Sequence, residues 1–232
     1  MDLVWEGIRQ AFWLLLRGDR ETYRIILLSL EVSGGATLAS VVIGVPLGTF
    51  LGLGRFPGRN ALVALVNMGM GLPPVVVGLL VTIVLWRNGP LGGLHLLYTP
   101  QAMVAAQFLL ASPLVTAFTL ASVQQLNPKL RTQILALGAS RGQMLFLLLR
   151  EARLPLLAAV MAGFGAVISE VGASLMVGGN ILGHTRVLTT ATVMQTGRGD
   201  FALAIALGII LLVLVYAASL AITTIQQRTR SP

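Results

Sequence analysis

The chain has 232 residues, 56% hydrophobic and only 10% charged, with a net charge of +8 and no cysteine. A soluble globular domain carries about 25% charged residues, so that class is excluded, as are disulfide and thiol chemistry. Several apolar runs reach the ~20 residues needed to cross a ~30 Å hydrocarbon core, which makes the chain an all-α polytopic membrane protein.

Residues 3–17 predict a short helix in which Trp5, Phe12 and Trp13 stand beside Glu6, Arg9 and Arg17. It is too short to span, and its aromatic and mixed-charge content suits a helix lying in the membrane interface, giving an interfacial segment over 1–24. The mixed charges and the lack of a small-residue cleavage site argue against a cleavable signal peptide. A first span is expected over 25–53, with Pro46 as a possible kink point. The basic turn 54–60 leads to a second span over 61–86. Its middle reads GMGLPPVVVG, and the glycines with Pro73 and Pro74 should interrupt the helix, either to line a pathway or simply to kink it. After a Gly/Pro-rich loop containing His95 and Tyr98, a third span covers 101–124.

The segment 127–153 is the most structured loop in the sequence. Asn127 can cap a helix with Pro128 at its first position, and Leu130, Ile134 and Leu137 fall on one face. Gly138 then supplies a terminating residue, and Ser140 with Gln143 has the spacing of a capping box for a second helix. Positive charge alone would make this an ordinary cytoplasmic loop. The caps, stripe and break suggest instead a basic helix–turn–helix held by a partner outside the membrane. A fourth span over 154–177, a polar Gly-rich loop over 178–200, a fifth span over 201–225 and a tail over 226–232 complete the chain. No internal repeat or low-complexity stretch is visible.

Loops 54–60 and 127–153 and the tail together carry nine Lys/Arg and one acid, Glu151. The other side carries seven Arg against Asp2, Glu6, Asp19, Glu21 and Asp200. The positive-inside rule therefore places loop 127–153 and the C-terminus in the cytoplasm and, with five spans, the N-terminus outside. Because the arginines sit at span ends rather than on one basic face, no nucleic-acid partner is expected.

The single lysine, Lys129, lies in NPKLR, so there is no phosphate-binding Gly-rich loop and no nucleotide site. His95 and His184 lie in separate loops without metal-ligand or triad spacing, so neither a metal or cofactor site nor catalysis is expected. Two acids lie within spans. Glu31 is near the start of the first and reads as interface-exposed. Glu170 lies in the outer part of the fourth, among Ser169, Gly172, Ala173 and Ser174, and either holds helix packing or gates a pathway. As a gate it would be neutralised by burial or turned toward hydrogen-bond donors of a neighbouring span or of the 178–200 loop. In that loop Gly178, Gly179 and Asn180 can turn freely, and Arg186 and Arg198 offer positive charge to an arriving anion.

The bent loop resembles the cytoplasmic signature of ATP-binding-cassette importer permeases, through Gly138, Ala139, Ser140 and Arg141 and the later Leu154-Pro155. The Glu-Ala-Ala triplet of that signature is replaced by Thr132, Gln133 and Ile134, and the stretch to Leu154-Pro155 is longer by one helical turn; no role of the triplet is carried over. The blocks Ser169–Ala173 and Gly178–Ile181 resemble the molybdate/tungstate branch, and Arg150–Arg153 with Gly165 and Ile168 resemble the tungstate permeases within it. The resemblance implies a non-catalytic homodimeric permease in a prokaryotic inner membrane. It also implies a separate cytoplasmic ATPase docked on the bent loop and an extracytoplasmic binding protein that delivers the oxyanion. An importer for sulfate or another solute is the nearest alternative. A secondary transporter would need more spans or inverted repeats, and a membrane enzyme would need catalytic groups that are absent.

Overall fold

The computed structural model describes residues 2–228; Met1 and the last four residues of the expected tail lie outside the described part. The helices in chain order are α1 (Asp2–Leu16), α2 (Arg20–Leu53), α3 (Arg59–Met70), α4 (Pro74–Leu85), α5 (Pro100–Gln124), α6 (Pro128–Ala136), α7 (Arg141–Glu151), α8 (Arg153–Ile168), α9 (Gly172–Gly178), α10 (Leu188–Gly197) and α11 (Phe201–Arg228). A short 3-10 turn over Gly92–Leu94 lies between α4 and α5, and no strand occurs among the described residues.

Three helices, α2, α5 and α11, are each long and apolar enough to cross a membrane unbroken. At 34 residues α2 measures about 51 Å, well beyond the hydrocarbon thickness, and it stays helical through Pro46. It starts at Arg20 rather than near residue 25, because Asp19 caps it by accepting from the Thr22 N–H at 2.8 Å. The Thr22 hydroxyl donates to the same carboxylate at 2.6 Å.

The pairing of α2 with α5 forms the spine of the bundle. Lipid is as apolar as leucine, so helices in a membrane associate through close packing rather than hydrophobic burial. Gly48 meets this need directly. A Cβ there would sit 2.5 Å from the Thr116 carbonyl oxygen and 2.7 Å from the Thr119 Cβ, so only glycine allows the two backbones to approach. The main core gathers around this pair, from Val32, Met103, Ala106 and Ala111 to Val77, Val167 and Val177.

The other membrane segments are broken. α3 and α4 meet at 103° across Gly71–Pro73, where the glycines and prolines of the sequence place an interruption. α8 and α9 meet at 59°, so the stretch expected as the fourth span over 154–177 is bent around residues 169–171. The two bent pairs bring the candidate spans to as many as five. The 178–200 segment also differs from the expected loop, since it contains α10. Leu188 and Ala191 of α10 are buried against Ala206, Leu207 and Ile210 of α11 and against Ile25. Sequence reading missed this helix because its threonines are poor helix formers and no side chain at residue 187 can cap it.

The N-terminal helix α1 does not simply float in the interface. Gly7 and Ala11 are buried, and a Cβ on Gly7 would collide with Ile205 of α11. Its Trp5, Phe12 and Trp13 face outward, with the Arg17 guanidinium 4.5 Å above the Trp13 ring. The Tyr23 hydroxyl donates to the Leu15 carbonyl at 2.9 Å and ties α1 to α2.

One end of the bundle is defined by the close of α2, the start of α8 and the close of α11. The Gln226 amide donates to the Leu154 carbonyl at 3.4 Å, and the Arg131 guanidinium to the Leu53 carbonyl at 3.5 Å. α6 and α7 hang from this end and carry a small core of their own, Ile134, Met144 and Leu148, closed by Leu53 and Leu126.

Candidate functional site

The two interruptions, some hundred residues apart in sequence, are neighbours in space. α4 packs on α9: a Cβ on Gly78 would lie 2.7 Å from the Ala173 Cα, and one on Gly172 would lie 2.7 Å from the Val75 side chain. The structure thus brings Pro73 and Pro74 beside Glu170.

Each break frees backbone N–H and C=O groups, which at membrane depth must be satisfied by protein or by water in a cavity. At the α8–α9 break, Glu170 supplies the missing acceptors. Its Oε1 accepts from the Ala173 N–H and its Oε2 from the Ser174 N–H, both at 3.1 Å. The carboxylate is 8% exposed and sits at the positive end of the α9 dipole, where negative charge is favoured. Its own carbonyl accepts from the Thr189 hydroxyl at 2.9 Å, which binds the break to α10. On the other side the Gln107 amide donates to the Ser174 hydroxyl at 3.2 Å, which binds it to α5. Gln107 is 2% exposed, and its Oε1 finds no partner among the described residues. The start of α10 is held in the same way, with the Leu188 N–H donating to Ser29 Oγ of α2 at 2.9 Å.

Glu170 is therefore the knot of a buried polar network that reaches four other elements: α9, α5, α10 and, through α10, α2. Of these residues, sequence reading singled out Glu170, with Pro73 and Pro74 in the adjoining break. It missed Gln107, Thr189 and Ser29. Gln107 alone carried a signal, an amide in the middle of an otherwise apolar span.

Above this knot the chain turns tightly. Gly178 is buried against Met103, while Gly179 and Asn180 take left-handed φ of 69° and 52°. The Tyr98 N–H donates to the Val177 carbonyl at 2.9 Å, so the loop before α5 braces the turn. The Thr185 hydroxyl donates to the Gly178 carbonyl and accepts from the Ile181 N–H, which folds the turn back on itself. Arg186, expected to offer positive charge at this loop, is held against the protein. Its side chain is only 12% exposed and pairs with the half-exposed Glu21 of α2 at 3.4 Å. A second N–H reaches the Asn180 carbonyl at 3.4 Å. Burial followed because the loop folds inward onto α2 instead of arching away. Glu31, by contrast, is exposed on α2.

The second site is the loop at the opposite end. Asn127 Oδ1 accepts from the Lys129 N–H at 3.0 Å and caps α6. Gly138 takes φ +82° and reverses the chain. The Ser140 hydroxyl accepts from the Gln143 N–H at 3.3 Å, and the Gln143 side chain accepts from the Ser140 N–H at 2.8 Å, so the capping box is complete. Ile134 is buried, but Leu137 leaves the expected apolar face and is 88% exposed, because α6 has ended one residue earlier. With Phe146, 65% exposed, it borders an open groove of about 690 Å³ that runs past Gly138, Ala139, Gly142 and Gln143. Ser140 and Arg141 are exposed at the turn. Thr132 and Gln133 are exposed and Ile134 faces the small core, so no acid stands on this face of α6. Among the described residues no cluster of His, Asp or Glu could hold a metal.

An apolar bundle with bent half-helices, a buried polar knot and a capped, solvent-facing loop at one end has the build of a solute-transport permease. The chain belongs to the family described as binding-protein-dependent transport system inner membrane component, whose model matches residues 44–231. It is 40% identical to the tungstate uptake system permease protein TupB of Peptoclostridium acidaminophilum, over 98% of this chain and all of that one. It is 41% identical to a probable anion ABC transporter permease protein of Haloferax volcanii, over 82% of this chain and 84% of that one. Among solved structures, it is similar in fold to a bacterial alginate ABC transporter in complex with alginate pentasaccharide-bound periplasmic protein. The TM-score there is 0.79 at 19% identity, covering 96% of this chain and 87% of that one.

Proposed function

We propose that this permease carries tungstate, or the closely similar molybdate, inward across a prokaryotic cell membrane as one half of a homodimer. The observation that carries the reading is the end-to-end identity of 40% with a permease named for tungstate uptake. The charge pattern supports an orientation with the α6–α7 end in the cytoplasm and the Arg186 turn outside, and the likeness to an uptake permease supports inward delivery.

In this reading a separate ATPase docks in the groove beside Leu137 and Phe146. Exposed apolar side chains of that size on a membrane protein's aqueous loop mark a protein contact. The bend at Gly138 gives the docked element a fixed angle, and the small core under it passes movement to the end of α2 through Leu53. A binding protein engages the opposite end and releases the oxyanion near the 178–187 turn.

Glu170 does not ligate the substrate, because a carboxylate would repel a dianion. It acts as a latch instead. Its two acceptors hold α9 in register with α8, and the packing of Gly78 on Ala173 carries α4 along with α9. ATP-driven movement of α6 and α7 has to break or shift this knot before the outer half can open. Uptake into vesicles holding the permease, its ATPase and its binding protein tests the whole reading: tungstate or molybdate should accumulate with ATP, and sulfate should not. Accumulation of sulfate alone, or of none of the three, refutes it.

A further inference from the structure

At the end of the bundle that carries α6 and α7 lies a second cleft, of about 770 Å³, which shares no lining residue with the groove beside Leu137. It opens between the close of α2, the 54–59 turn, the close of α5 and the start of α6. Arg55, Arg59 and Arg131 line it, and no acidic residue does. Arg59 donates from Nε to the Leu51 carbonyl at 2.7 Å, and Arg131 donates to the Leu53 carbonyl at 3.5 Å. These bonds anchor two guanidinium groups at the negative end of α2, but each guanidinium has five N–H donors and the carbonyls take only one from each. Arg55 is exposed and makes no hydrogen bond or ion pair among the described residues. Three cations thus converge on a cleft that gives them no countercharge.

The rest of the lining is apolar, from Leu53, Val123, Leu126 and Leu148. Gly54 of the lining lies against Phe56, whose ring stacks at 5.1 Å on Phe50, an exposed residue of α2. A ligand suited to this surface has a negative tetrahedral head and an apolar tail that can lie along α2. We infer that the cleft binds the phosphate headgroup of an anionic phospholipid. Basic pockets between membrane helices favour such headgroups, and the bilayer supplies them at high local concentration. A free oxyanion fits the three arginines but leaves the apolar face of α2 without a role. Because Arg131 belongs to α6 and Leu148 to α7, the bound lipid braces the whole coupling loop against α2. Only the leaflet involved, the cytoplasmic one, rests on the orientation proposed above.

Native mass spectrometry of the full-length permease in mild detergent tests this without ATPase, binding protein or transport. Phosphatidylglycerol should bind about tenfold more tightly than phosphatidylcholine, and Arg55→Gln with Arg131→Gln should weaken it by about tenfold. Lys129→Gln with Arg150→Gln, which removes equal charge at the same end outside the cleft, should change it less than about twofold. Equal binding of the two lipids by the wild type overturns the inference. So does unchanged binding in the cleft variant, or displacement of phosphatidylglycerol by millimolar inorganic phosphate, which would make the cleft a free-oxyanion site. If the cleft variant fails to fold, the wild-type comparisons still overturn the inference when the two lipids bind equally or phosphate displaces phosphatidylglycerol.

Discussion

Two of the bent helix pairs, α6–α7 and α8–α9, solve one problem by different means. At α6–α7 the chain reverses in water. Its freed backbone groups are capped from within by Asn127, Ser140 and Gln143, and the reversal itself needs only the positive φ of Gly138. At α8–α9 the bend is buried. Glu170 caps α9, but the arrangement closes only with Gln107 from α5 and Thr189 from α10, and with Gly78 of α4 lying against Ala173. A bend in water can be a local invention. A bend at membrane depth becomes a joint one, because the groups it frees and the polar residues that cap them must all find partners within the protein, here from α5 and α10 as well as from Glu170 itself. The first should therefore tolerate change without disturbing the bundle, and the second should not.

The strongest way to break this comparison is to load the buried bend with volume. Gly78→Val places a branched side chain against the Ala173 backbone, which cannot yield as a side chain end could. We expect a loss of about 3 kcal/mol or more, read as a drop in thermal stability and in yield of folded permease. Unchanged melting would mean that α4 and α9 do not pack as described. Next in size is Glu170→Gln, which keeps the shape but offers one acceptor where two N–H groups need one each. The unsatisfied donor should cost about 2 kcal/mol. ATPase binding should survive while ATP is hydrolysed without matching uptake. Normal uptake per ATP in this variant would leave Glu170 a packing role only.

The same kind of test at the exposed bend should give a smaller and different effect. Nothing lies within 4 Å of a Cβ on Gly138, so Gly138→Val has no clash to relieve and is opposed only by its left-handed backbone, at about 1–2 kcal/mol. The bundle should melt as wild type while ATPase stimulation is lost. Retained stimulation would show that the bend angle is not what the partner reads. Ser140→Ala should remove about 1 kcal/mol from α7 alone and lower ATPase stimulation only in part. Smallest of all is the Asp19 cap, a third helix start that is also satisfied locally. The Thr22 hydroxyl, and then the Thr22 N–H, hold the Asp19 carboxyl below its usual pKa. A depressed carboxyl contributes stability that is present above its unfolded pKa and lost as pH falls through the folded one. Asp19→Ala should therefore lose a little stability at neutral pH and none in strong acid, as measured by melting across that range.

What the sequence determined by itself follows from how far apart the cooperating residues lie. The apolar runs, the glycine and proline interruption at residues 69–74, and the caps at Asn127 and Ser140 all involve neighbours within a few positions, and local chemistry is enough to specify them. Charge at the span ends was equally legible. The break at Glu170 was not, because Ser-Glu-Val-Gly reads as a continuing helix until the side chain turns back onto the N–H groups of Ala173 and Ser174. Nor was α10, whose weak propensity is overcome only by burial of Leu188 and Ala191 against α11. The meeting of residues 73–78 with 170–176, the pairing of Arg186 with Glu21 and the convergence of Arg55, Arg59 and Arg131 all join distant stretches of chain. No spacing rule links such positions. Only the packing of α2 on α5, close enough to need Gly48, fixes where the other helices can go and so which polar groups must find each other away from water.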